Sequence, residues 1–155
     1  MSPNIRGIEF TFDGDYYRNI FRELLDGIDM SRYDAFIDYG EIHPHNIYEN
    51  YDTSDYVGSE FILNAINDEN LIYYIIHVKL CAYSKGGDRK EIRSYEDFLE
   101  SDCRFILLIH DSGYFDIYTK DDNVLLAFIR NAISLKGENI VIKTDYDDGR
   151  TGMDV

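Results

Sequence analysis

The stretch FILLIHDSGYFDIYT, residues 105–119, decides the fold class. Its two halves, 105–109 and 114–119, are rich in β-branched, aromatic and aliphatic residues, and between them lies Asp111-Ser112-Gly113. Two such runs joined by a short turn of Asp, Ser and Gly read as a β-hairpin, and a hairpin makes its strands antiparallel. A doubly wound parallel sheet fits poorly, because no glycine-rich turn follows the first strand.

Working outward, residues 5–12 place Ile8, Phe10 and Phe12 on one side and Glu9 and Thr11 on the other, the alternation of a strand. Asp13-Gly14-Asp15 ends it, and either Asp is suited to cap a helix over 16–28. There Tyr17, Ile20, Phe21, Leu24, Leu25 and Ile28 recur at helical spacing. Strands are expected over 31–39, 71–83 and 140–146, and a short helix over 59–67. A second short helix opens with the capping-box pattern Ser94-Tyr95-Glu96-Asp97. A longer helix capped by Asp121 or Asp122 carries Val124, Leu125, Phe128, Ile129, Ala132 and Ile133 and ends near Gly137. The polar tail from about 147 is expected to fray. Residues 40–58 have no sustained period and are expected to be irregular. The expected architecture is a single α+β domain, a mostly antiparallel sheet of about six strands with helices packed on one face.

Charge narrows function. Thirty Asp and Glu against fifteen Lys and Arg leave 155 residues at −15. Nucleic acid is bound by cationic neutralisation of phosphates, so direct nucleic-acid binding is disfavoured, and so is an anionic membrane surface. The complementary partner is a basic or mixed protein surface. Nucleic-acid mimicry is an alternative, but it requires carboxylates gathered on one face. The charge is instead spread along the chain, −6, −5 and −4 over residues 1–50, 51–100 and 101–155. Met1 to Phe12 lacks a cationic stretch followed by an apolar run, and no apolar run approaches the roughly 20 residues of a membrane span. A cytoplasmic setting is expected, with Cys81 and Cys103 as buried reduced thiols.

No nucleophile elbow, phosphate loop, dinucleotide fingerprint, zinc spacing or calcium loop is present, so neither an enzyme, a metal nor a cofactor is expected. His43-Pro44-His45 reads as a pair of exposed loop histidines, and His77 as a structural strand histidine. His110 and Asp111 are neighbours in a strand pattern, which points them to opposite faces and out of contact. Lys85, Arg89, Lys90 and Arg93 make a local basic loop around Gly86-Gly87. Backbone amides there are able to approach a nucleotide or phosphate, a candidate anion site and the basis of an alternative small-molecule-binding function. The sharper feature is the irregular segment, where Tyr48, Tyr51 and Tyr56 lie among Asp52 and Asp55. Tyrosine offers large contact area at low entropic cost, so these five residues are the expected partner-binding site.

The run SYEDFLESDCRFILLI (residues 94–109), with Asp111-Ser112, Ile117-Tyr118, the opening RGIEF (6–10) and IDMSRY (28–33), resembles a family of small acidic proteins from Bacillus and relatives, a domain of unknown function. The resemblance supplies no catalytic residues. It implies a bacterial or prophage setting, where small acidic cytoplasmic proteins are frequently immunity proteins or inhibitors of defence enzymes. Together with the −15 charge, the tyrosine-rich segment and the absence of a catalytic constellation, the expected function is a non-enzymatic protein that binds and neutralises a bacterial toxin or defence protein, as an immunity protein or phage anti-defence inhibitor does.

Overall fold

The computed structural model describes residues 4–13, 17–45, 60–150 and 152–155. Six strands, β1 (Ile5–Thr11), β2 (Tyr33–Pro44), β3 (Tyr73–Ser84), β4 (Cys103–His110), β5 (Tyr114–Thr119) and β6 (Glu138–Thr144), form one sheet in the order β2-β3-β4-β5-β1-β6. Every neighbouring pair is antiparallel. Four helices join them: α1 (Ile20–Leu24), α2 (Glu60–Asn67), α3 (Tyr95–Glu100) and α4 (Asp122–Ser134). The fold is α+β, as the hairpin implies. Within that hairpin His110 pairs with Tyr114, and Asp111 and Ser112 take left-handed backbone, φ 47° and 63°. The turn is held from both sides, because Ser112 N–H donates to Ile76 O at 2.8 Å and Phe12 N–H to Gly113 O at 2.9 Å.

The burial of β4 explains its unbroken apolar run. Phe105, Leu107 and Ile109 face a core shared with Ile8, Phe10 and Leu80 of the sheet, Phe21 and Leu24 of α1, Phe61 of α2 and Phe128 of α4. Ile106 and Leu108 face the other way, into a second cluster with Cys81, Tyr83, Tyr118, Ile92, Phe98 of α3 and Met153. A strand covered on both sides has no polar face to alternate with. Three helices thus cover the first face, while α3 and the C-terminal tail cover part of the second.

Local chemistry accounts for the helix starts. At α3 the capping box forms as read: Ser94 Oγ accepts from Asp97 N–H at 3.0 Å and Asp97 Oδ2 accepts from Ser94 N–H at 3.2 Å. At α1 the helix is shorter than its periodicity suggests. Its cap is Asn19, whose side chain accepts from Arg22 N–H and from the Tyr73 hydroxyl and donates to Ala65 O. Tyr73 and Ala65 are distant in sequence, so a local pattern could not reveal them. Asp121 precedes α4 without a side-chain cap bond; its carboxylate pairs with Arg104 at 2.6 Å.

Two expectations change. Strand β2 continues through Pro44 into the segment read as irregular, and two register shifts against β3, between Ile37 and Tyr39 and between Glu41 and Ile42, explain why its period-two pattern is unreadable. Residues 46–59, and with them Tyr48, Tyr51, Asp52, Asp55 and Tyr56, lie outside the described residues. The tail does not fray: Met153 is fully buried, and its N–H donates to Arg93 O at 2.9 Å.

Gly7 sits in β1 where a Cβ would overlap the carbonyl oxygen of Ile117 on β5. Because the obstacle is backbone, relief requires β1 and β5 to separate. Gly7→Ala is therefore expected to cost about 2 kcal/mol or more, read as a lower urea midpoint at unchanged m-value. An unaltered midpoint would refute this close approach.

Candidate functional site

Strand register builds the polar side of the second face. Lys79, Leu108, Asp116 and Glu9 are successive cross-strand partners, and Cys81, Ile106, Tyr118, Gly7 and Lys143 form the next row. Residues paired across strands share a face, so Lys143 lands beside Tyr118 with only the bare Gly7 between them. Lys143 Nζ donates to Asp116 Oδ1 at 2.7 Å and to the Tyr118 hydroxyl at 2.9 Å. That hydroxyl donates onward to Asp148 Oδ2 at 3.1 Å. Arg150 closes the cluster on Asp116 at 3.1 Å, and Arg6 joins it through Asp148 at 3.4 Å and Asp145 at 2.9 Å while covering the Tyr95 ring.

A second cluster lies toward β2. Lys79, 2% exposed, donates to Ile92 O and pairs with Asp154 at 3.0 Å. Val155 N–H donates to the Tyr39 hydroxyl at 2.7 Å. The C-terminal residues are thus a strap across the second face, with Asp148, Arg150, Met153 and Asp154 as its fastenings. The sequence does not point to Arg150, Met153 or Asp154 as fastenings, and the acidic run around Asp148 reads there as solvated surface. The signal available was a lone lysine inside each of two apolar strand runs, Lys79 and Lys143.

The electrostatics favour fixed protonation states. Burial tends to lower the Lys143 ammonium, but its hydrogen bonds to Asp116 and Tyr118 outweigh that, holding its pKa above the usual lysine value. Burial pushes the Tyr118 phenol up to about 12, and burial also raises Tyr73 and Tyr83. A hydrogen bond with Cys103, together with burial, raises the Cys81 thiol. Both cysteines are free and buried, so Cys81 stays a thiol at neutral pH rather than a nucleophilic thiolate.

These phenols carry a pH prediction. The folded chain keeps protons that unfolded tyrosine releases near pH ~10. Their contribution is fully present below that pH and is lost as pH rises toward the folded values. Stability should fall steeply above about pH 10, with the last tyrosinate absorbance appearing together with loss of near-ultraviolet dichroism. Complete tyrosine ionisation near pH ~10 in a still-folded chain would contradict it.

The basic-loop residues mostly engage carboxylates of the same chain. Lys85 pairs with Asp34 at 3.2 Å, Arg89 with Asp38 at 3.4 Å over the Phe36 ring, and Arg93 with Glu91 at 2.9 Å. Lys90 is exposed, and its carbonyl accepts from the Tyr83 hydroxyl. Three of the four candidate anion ligands therefore already hold a carboxylate. His43 reaches Glu41 at 2.8 Å. His110 does contact Asp111, at 3.3 Å, because the left-handed turn at Asp111 abolishes the strand alternation that would have separated them. Among the described residues no group of three His, Cys, Asp or Glu is placed to hold a metal ion, and no helix is long and apolar enough to cross a membrane.

Comparison with known proteins places this geometry in a family. The chain is 28% identical to a Bacillus subtilis (strain 168) protein called "Uncharacterized protein YncE", over 97% of this chain and 99% of that one. No solved structure matches the chain significantly. The model of the family described as "Protein of unknown function (DUF2691)" matches residues 5–154, which span both faces of the sheet and the strap, and the chain belongs to that family.

Proposed function

We propose that the protein is a non-enzymatic acidic binder that neutralises a protein target with a basic surface, an immunity-type or anti-defence role carried out in the cytoplasm. The observation that carries this reading is the internal use of cations. Among the described residues, nine of the fifteen Lys and Arg side chains lie within salt-bridge distance of a carboxylate of the same chain. Each pair cancels one charge of either sign, so the net charge stays at −15 while few cations remain to offset the exposed carboxylates. Exposed carboxylates such as Glu60 of α2 and Asp122 of α4 lie on one side of the sheet, and Glu96 and Glu100 of α3 on the other. A field of one sign speeds encounter with an oppositely charged partner and makes the encounter salt-sensitive.

The contact is proposed at Tyr48, Tyr51 and Tyr56, with Asp52 and Asp55 at the rim, on the sequence argument alone. Pull-down from bacterial lysate at low and at high salt tests the reading, with the Tyr48→Ala/Tyr51→Ala/Tyr56→Ala variant alongside. The expected result is a stoichiometric basic protein, retained at low salt, weakened at high salt and lost from the triple variant. Truncating a desolvated tyrosine at an interface centre typically costs about 2 kcal/mol or more. Absence of any stoichiometric partner at either salt would overturn the proposal. Normal capture by the triple variant would move the contact away from these rings.

A further inference from the structure

We infer that the uncovered end of the second sheet face receives an arginine-bearing segment of the basic partner, and that histidines on this surface make the contact sensitive to acid. The inference rests on the proposed basic partner and adds to it a surface built from different residues. Register fixes that surface. Glu41 pairs with His77, and Val78 pairs with Ile109, which sets His77 beside His110 one step on. His110 pairs with Tyr114, and Tyr114 with Thr11. Asn139 of β6 joins the row, its amide donating to Thr11 Oγ1 at 3.4 Å. Residues paired across strands share a face, and the intervening Ile109, Phe115 and Phe10 lie in the first core, so this row belongs to the second face. At about 4.8 Å per strand it crosses roughly 24 Å of sheet. The strap makes its last bonds to Lys79 and Tyr39 in the neighbouring row, and Tyr114 is left 56% exposed.

Charge and ring chemistry select the occupant. Glu41 and Asp111 are exposed along the row, Glu9 is exposed in the next one, and exposed Asp13 and Glu138 line the groove beside Tyr114. Against these five carboxylates stand Lys136 in the same groove and Lys143, which is 9% exposed and already bonded to Asp116. A cationic side chain meets an excess of carboxylate here, and the open ring of Tyr114 is a surface on which a guanidinium stacks. Strand β2, which carries Glu41 and His43, also runs directly into the segment bearing Tyr48, Tyr51 and Tyr56.

Three of the four histidines fall in the same place. His43 reaches Glu41 at 2.8 Å and is paired across the strands with Tyr74. His110 reaches Asp111 at 3.3 Å, with the Tyr114 ring 6.4 Å from its own. His77 lies between Glu41 and His110, with the Tyr39 ring at 6.1 Å. Histidine is the side chain that gains its charge between pH 8 and 5. Protonation sets three positive charges among these carboxylates, and Lys79 in the adjoining row adds to them, so acid weakens the hold on a cation.

The test takes the protein that the immobilised full chain retains from bacterial lysate, purifies it and titrates it back at about pH 7.5 and about pH 5.5. Glu41→Lys/Tyr114→Ala should raise the dissociation constant at least about 30-fold. The charge-matched Glu60→Lys/Leu126→Ala, on the helices of the opposite face, should change it by less than about threefold. All four positions are exposed, so both variants should keep the parent's thermal melt. Asp111→Asn, a residue suited to the left-handed turn, should weaken binding in the same direction without touching a strand. Acidification should weaken the parent at least about tenfold and the His43→Gln/His77→Gln/His110→Gln variant hardly at all. Full binding by Glu41→Lys/Tyr114→Ala, equal loss from the two charge-matched variants, or an unchanged acid response in the glutamine variant overturns the inference and leaves the basic partner standing. Retention of no protein at the higher pH overturns both.

Discussion

Deletion of Gly152–Val155 is expected to lower unfolding stability by about 3 kcal/mol or more. Met153 is fully buried against Ile92, Phe98 and Tyr118, and removing a buried methionine side chain alone typically costs about 2–5 kcal/mol. The deletion also removes the Ser94–Gly152 bridge and the bond from Met153 to Arg93 O. Lys79 loses Asp154 but regains water, so the apolar term dominates. Two point variants separate the contributions. Met153→Ala keeps the backbone strap and should lose most of the stability that the deletion loses. Asp154→Ala leaves Lys79 covered, with Ile92 O and Asp38 at 3.9 Å as remaining partners, and should cost about 1–3 kcal/mol. Urea titration followed by circular dichroism reads all three. A deletion variant with the parent's midpoint would mean that the strap is not held as described.

Asp116→Ala should be comparably damaging, by about 3 kcal/mol, through a different mechanism. The substitution strips Lys143 of its 2.7 Å partner and Arg150 of its 3.1 Å partner while leaving the lysine buried. Breaking a buried pair from one side typically costs about 3–5 kcal/mol, whereas replacing both partners by apolar groups is often close to neutral. The lower end applies here, because Glu9 at 3.5 Å and Asp148 at 3.6 Å remain near the ammonium. The double variant Asp116→Ala/Lys143→Met should recover most of the loss. Equal destabilisation of single and double variants would show that the pair matters through packing rather than charge.

Much of the fold was legible because its signals are local. The turn at Asp111-Ser112-Gly113 needs only neighbouring residues to form, and so does the Ser94/Asp97 capping box. The helical spacing of Val124, Leu125, Phe128 and Ala132 records one buried face of α4. Where the reading failed, the cause was non-local. The cap of α1 depends on Tyr73 and Ala65. Register shifts hid the strand character of residues 40–44. The tail looked free because its one large apolar residue, Met153, is flanked by polar ones.

The same division governs function. From sequence alone come the class α+β, the antiparallel sheet and the sign of the net charge, since these follow from composition and short-range pattern. Tertiary structure alone decided which charges are consumed and which face solvent. Lys79 meets Asp154 across 75 residues, Arg6 meets Asp145 across 139, and Lys143 meets Asp116 across 27. Strand order puts such groups side by side, and order is set by how the whole chain buries its apolar faces, a property that no single stretch of sequence carries.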